Sequence, residues 1–154
     1  PKGKDPNFAY SIGIQKTTGS PEMIVFGMSP RTAHYLISTY FEQAKAGRCF
    51  VPSRPYSGFS KNHTVFVQPV LRSKYAHFMA AADGYYGKRG YKAVQLIYPD
   101  KLGRWPWNAD VPSRFKSLQP VLGPVPLGQS RTAVRRKQIL LRSRLNLAQI
   151  QAGG

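Results

Sequence analysis

PEMIVFGMSPRTAHYLISTYFEQAKA, residues 21–46, sets a strand, a stop and a helix side by side and so decides the fold. Glu22 to Gly27 is an almost continuous apolar run, the pattern of a strand covered on both faces. Ser29-Pro30 then opens a helix: a serine side chain can accept from the free N–H groups of the first turn, and proline suits the first helical position. Ala33, Leu36, Ile37, Tyr40, Phe41 and Ala44 recur at helical spacing and form one apolar stripe. Gly47 is a natural terminator.

Upstream, Phe8 to Gln15 (FAYSIGIQ) alternates apolar and small or polar residues, which predicts a strand with one buried face. The Thr17–Pro21 connection is short enough for the two strands to pair antiparallel, and too short for a crossover helix. Downstream, residues 48–63 read as a long loop with room for one short strand. Thr64 to Val70 reads as a strand, and Ser73 caps a second helix to about Tyr86, with a stripe of Tyr75, Phe78, Met79, Ala82 and Tyr86. Tyr91 to Tyr98 is a further strand. A turn-rich aromatic segment follows, then Pro120 to Pro126 (PVLGPVP), an extended linker or strap. Residues 130–150 have the pattern of a basic amphipathic helix. The expected fold is α+β: a mainly antiparallel or mixed sheet of four to five strands, two helices packed on one face, and a basic C-terminal tail. The expected division is a domain over residues 8–123 and an extension over 124–154.

Charge points to a partner. The chain holds 23 Lys and Arg against 6 Asp and Glu, a net of +17. No acid lies after Asp110, so the field strengthens toward the C-terminus. Such a field attracts polyanions, whether nucleic acid, anionic lipid or an acidic protein surface. No apolar run approaches the length that spans a bilayer, and no secretory signal pattern is visible. Cys49 is the single cysteine, which excludes an internal disulfide; its plain reading is a small buried hydrophobe at a helix end.

YSIGI at 10–14, PEMIVFGMSPRTAHYLI at 21–37 and VQLIYPDKLGRWPW at 94–107 together resemble family 4262 of the bacterial domains of unknown function. Its pattern is a Y-x-x-G strand, a P-E strand closed by glycine with a helix after it, and a late Q-x-x-x-P-D-x-x-G-R-x-P-W segment. The resemblance covers about residues 8–123. It implies a compact cytoplasmic domain and brings no established activity with it.

Three segments are candidates for chemistry. Gln95 to Trp107 sets Asp100, Arg104, Trp105 and Trp107 on a loop past a strand end, where a sheet positions residues rigidly. Asp100 would be a general base, with His34 of the first long helix as its acid–base partner. Arg104 would clamp an anion, and Trp105 and Trp107 would stack on a base or sugar. The competing reading is structural, because Pro99-Asp100-Lys101-Leu102-Gly103 is a good turn. The second segment, residues 84–92, mixes Tyr85, Tyr86 and Tyr91 with Lys88, Arg89 and Lys92, a combination suited to stacking on unpaired bases while holding phosphates. Third, the tail carries Arg131, Arg135, Arg136, Lys137, Arg142 and Arg144 for phosphate contacts. His34, His63 and His77 show no metal-ligand spacing, and no metal site or cofactor is expected. The leading expectation is a binding module for a polyanion, nucleic acid first, leaning away from catalysis. The alternatives are a small enzyme with a pocket between the first helix and the 99–107 loop, and an interaction or inhibitor protein that binds an acidic protein surface.

Overall fold

The computed structural model describes residues 4–88 and 90–126. Arg89 and the tail residues Arg131, Arg135, Arg136, Lys137, Arg142 and Arg144, with the expected helix over 130–150, lie outside the described residues. The elements are β1 (Phe8–Tyr10), α1 (Ile14–Thr18), β2 (Glu22–Phe26), α2 (Pro30–Lys45), β3 (Arg54–Tyr56), β4 (Val65–Pro69), a 3-10 turn (Arg72–Lys74), α3 (Tyr75–Phe78), α4 (Ala80–Tyr86), β5 (Ala93–Ile97) and α5 (Ser113–Leu118). The fold is α+β, with one five-stranded mixed sheet in the order β1-β2-β5-β4-β3. β1 pairs antiparallel with β2, as the short connection predicts, and β4 pairs antiparallel with both β5 and β3. The central pair, β2 and β5, runs parallel, with Met23 opposite Val94 and Val25 opposite Leu96.

All five residues of β2 and all five of β5 are buried, so each face of the sheet needs a cover. The sequence predicts both helices on one face; the structure divides them. Met23, Val25, Val67, Val94 and Leu96 pack with Ala33, Leu36 and Tyr40 of α2 on one side. Ile24, Phe26 and Ala93 pack with Tyr75 of α3, Ala82 of α4 and Met79 between them on the other. The α2 expectation is met in detail: Ser29 Oγ accepts from Thr32 N at 3.2 Å, Pro30 follows, and Ala33, Leu36, Tyr40 and Ala44 are buried.

The expected second helix is interrupted at Met79, whose backbone (φ −129, ψ 35) is not helical. Its side chain is fully buried and its carbonyl accepts from Asp83 N at 3.0 Å. The strand expected over 8–15 stops at Tyr10. Beyond it Gly13, at φ +106, starts α1, a conformation a glycine adopts without steric cost. Cys49 is exposed, not buried as its residue type suggests.

The second face over β4 and β5 is covered by chain from residues 105–124. Trp105 and Trp107 set their edges against Phe66, with ring centroids 5.7 and 5.1 Å away. Three buried glutamines tie the strap down. Gln119 pairs with the backbone of Tyr98 in both directions, at 2.9 Å each. Gln95 accepts from Leu122 N at 2.8 Å and donates to Pro120 O at 2.7 Å, and Gln68 donates to Pro124 O. Gln95 and Gln119 each use a donor and an acceptor across the strap, as a strand residue would, whereas the Gln68 oxygen accepts from Ser53 Oγ.

Candidate functional site

The loop after β5 is closed on itself. Asp100 Oδ1 accepts from Leu102 N and Arg104 N, both at 2.9 Å, and Oδ2 accepts from Arg104 Nε at 2.8 Å. Arg104 also reaches the Asp110 carbonyl at 3.0 Å and the Asp110 carboxylate at 3.3 Å. Both oxygens of Asp100 and the fork of Arg104 are thus engaged within residues 100–110, which favours the turn reading over base and anion clamp. The Arg104 hydrogen bond holds the Asp100 carboxyl below its ordinary value of 3.8, with the loop N–H groups adding to it, and in return raises the Arg104 guanidinium. A carboxyl whose folded pKa lies below its unfolded one contributes stability above the unfolded value and loses it as pH falls through the folded one. Asp100→Asn is therefore expected to lower the melting temperature at pH 7. The gap from the parent should shrink progressively below about pH 4, as thermal melts across that range will read. Trp105 and Trp107 stack on each other, centroids 5.5 Å apart and planes 13° apart, besides meeting Phe66. His34 is exposed on α2 and lines a different hollow, of 350 Å³, with Ser11, Ile37 and Ser38. The three residues proposed for acid–base work and anion clamping are not brought to one place.

Glu22 is the residue that the sequence reading passed over. It is fully buried at the start of β2. Its Oε1 accepts from Gly13 N at 2.9 Å, Gln15 N at 3.0 Å and Tyr86 Oη at 2.5 Å, and its Oε2 accepts from Ser11 Oγ at 2.5 Å. Among the described residues four donors and no cation hold this carboxylate, so α1 and the end of α4 are pinned to the sheet through one side chain. Burial, with Glu22 beside it, raises the Tyr86 hydroxyl above its ordinary value. Gln15 extends the link, donating to Gly90 O at 3.1 Å and accepting from Lys92 N at 2.8 Å.

Around that knot lies a basic face. Lys16 Nζ sits 5.7 Å from the centre of the Tyr85 ring, which is 53 % exposed. The Arg72 guanidinium lies over Tyr75 at 4.7 Å and donates to Tyr91 O at 2.7 Å. Arg72, Gly90 and Lys92 line one hollow of 340 Å³, and Lys88 is exposed on the intervening turn. Of the three tyrosines predicted to stack, Tyr85 alone presents an open ring. Tyr91 is buried and donates to Asp83 at 2.8 Å; burial and Asp83 raise its hydroxyl strongly. Tyr86 is half-buried and packs on Tyr91 at 5.1 Å.

A pocket of 580 Å³ does lie between α2 and the start of the 99–107 loop. Its walls include Met28, Leu36, Phe59, Val65 and Leu96, and its polar groups come from Ser60, Lys61, His63, Thr32, Tyr35 and Tyr98. Asp100, Arg104 and His34 are not among them. Sequence signals for Lys61 and His63 were slight, because both sit in the polar 57–64 loop with nothing periodic around them.

The three sequence blocks that carry the family resemblance meet in these knots. Gly13 of the first is bonded to Glu22 of the second, and Gly27 of the second abuts Tyr98 of the third. A family model described as Domain of unknown function (DUF4262) matches residues 1–112. The chain belongs to the DUF4262 family. No curated protein and no solved structure matches it. In this DUF4262 chain the matched span ends before α5 and before Gln119, while the resemblance in sequence covers about residues 8–123. Among the described residues of the DUF4262 chain, no three of His, Cys, Asp and Glu gather as metal ligands, and no helix is long and apolar enough to cross a membrane.

Proposed function

We propose that this domain binds polyanions, single-stranded nucleic acid foremost, on the face built by α1, the 3-10 turn and residues 84–92. One observation carries the reading: five of the six carboxylates are engaged by groups of the molecule itself, and the sixth, Glu42, lies exposed on α2. Asp100 and Asp110 go to Arg104, Asp83 to Tyr91, Asp5 to His77, and Glu22 to its buried knot. Among the described residues, Arg104 is the one Lys or Arg in a salt bridge. The remaining cations therefore project a field with little internal neutralisation: Lys16 lies over the exposed ring of Tyr85, and Arg72 and Lys92 line the hollow beside Tyr91. Cations hold phosphates while an exposed aromatic face stacks on an unpaired base, which favours single strands over duplex. The tail cations Arg131, Arg135, Arg136, Lys137, Arg142 and Arg144 would add phosphate contacts.

Fluorescence anisotropy with a labelled oligothymidylate tests this. A contact that neutralises about five phosphates of a single strand loses roughly a hundredfold in affinity between about 50 and 200 mM salt. Charge reversal of Lys16, Arg72, Lys88 and Lys92 together should reduce binding sharply. Reversal of Lys45 and Lys101, placed elsewhere, should reduce it much less. A full-length variant with the six tail cations changed to glutamine measures the tail's share. Binding indifferent to salt, or equal losses from both sets, would reject the assigned face.

A further inference from the structure

The 580 Å³ pocket is independent of the basic face and has its own chemistry. It opens at the carboxyl end of the parallel pair β2–β5: Met28 follows β2, and Tyr98 and Pro99 follow β5. Ligands of α/β sheets favour that position, because the chain leaves adjacent parallel strands in ways that open a crevice there. Its size and largely apolar wall are those of a small-molecule site. The wall's apolar side chains belong to the sheet, to α2 and to buried Phe59, so it is held by the main core. The polar groups are not evenly spread in sign. Lys61 and His63 stand at one side, and no Asp or Glu lines the pocket.

We propose that this pocket binds a small amphipathic anion: an aromatic or acyl body against Met28, Leu36, Phe59 and Leu96, with its carboxylate or sulfonate toward Lys61 and His63. An apolar body explains the wall, and a negative end meets the Lys61 ammonium, which no carboxylate of the pocket opposes, with the His63 ring beside it as a hydrogen-bond donor. Lys61 and His63 are exposed, so their share is a screened one.

The test uses a matched pair of fluorescent probes and the full chain. 1-Anilinonaphthalene-8-sulfonate carries the anionic group, and N-phenyl-1-naphthylamine has the same ring body without it. Both are expected to bind one per chain, the sulfonate more tightly, and excess oligothymidylate should leave the signal in place. Lys61→Ala with His63→Ala should weaken the sulfonate about fivefold and leave the neutral probe unchanged. Thr32→Trp and Ser60→Trp, each filling the mouth from an exposed position, should remove both. Circular dichroism confirms folding, and if one tryptophan variant unfolds the other decides. One-to-one binding that survives the tryptophan variants, several probes per chain, displacement by oligothymidylate, or no binding by the folded chain overturns the pocket assignment. Equal loss of both probes in the alanine pair overturns the anionic end.

Discussion

Replacing Glu22 with alanine is expected to remove about 2–5 kcal/mol of folding stability, the summed cost of leaving several partly or fully buried donors without an acceptor. The carboxylate is fully buried and accepts from two backbone N–H groups and two hydroxyls. Alanine takes away the only acceptor for the Gly13 and Gln15 N–H groups that the described bonds give them, in a place only partly open to water. An unmade buried bond costs more than a made one contributes, because the donor has left its water and gained nothing. Since small domains hold only about 5–15 kcal/mol in total, the variant should unfold at far lower urea. Trp105 and Trp107, packed on Phe66, report the transition by fluorescence. Glu22→Gln should lose less, about 1–3 kcal/mol. The amide keeps one oxygen for the backbone pair but turns an NH₂ toward Ser11 Oγ. That oxygen, already accepting from Met23 N at 2.9 Å, can accept again, but its own proton is then left over. A loss under about 1 kcal/mol for the alanine variant would show that the carboxylate does not hold α1 and α4 to the sheet.

Gly27→Ala is expected to be the second severe change, at about 2–5 kcal/mol. Two costs combine: a left-handed backbone at a non-glycine residue, about 1–2 kcal/mol, and overpacking, about 1–3 kcal/mol. Gly27 sits at φ +67 immediately after β2, where the chain turns toward α2. A Cβ there would lie 2.6 Å from Tyr98 Oη and 2.8 Å from the carbonyl oxygen of Leu118. Tyr98 could swing aside; the α5 backbone cannot do so without pulling Gln119 off Tyr98. The companion variant Tyr98→Phe removes the nearer clash. If Gly27→Ala is rescued on that background, the hydroxyl is the obstacle. If it is not, the Leu118 carbonyl and the positive φ are. Equilibrium unfolding of the two single variants and the double separates these, and a Gly27→Ala chain as stable as the parent would refute both.

Much of the fold was legible in local pattern. Residues 21–46 read correctly as a buried strand, a serine cap, a proline and an amphipathic helix, because each signal acts within a few residues. The turn at Pro99–Gly103 was legible for the same reason, since Asp100 bonds only its own loop. The α1 helix was not. Tyr10, Ile12 and Ile14 alternate as a strand would, and what bends the chain after Tyr10 is the Glu22 carboxylate capturing Gly13 and Gln15. The polyanion expectation rested on composition, which reports how many cations there are and nothing of their grouping. Tyr85, Tyr86 and Tyr91 look alike in sequence; one is open, one is half-buried on Glu22, and one is buried on Asp83.

Taken alone, the amino-acid order determined where β2, α2, β4 and β5 lie, that the sheet would be mixed or antiparallel, and that the chain would be strongly positive. These follow from periodicity, caps and charge count, all of which are short-range or additive. Folding in three dimensions decided which face each helix covers, which carboxylates are spent internally, and where the apolar pocket opens. Those depend on partners far apart along the chain, such as Tyr86 and Glu22, 64 residues apart, or Gln68 and Pro124, 56 apart. Periodicity tells which side of an element is buried, but only packing decides what lies against it.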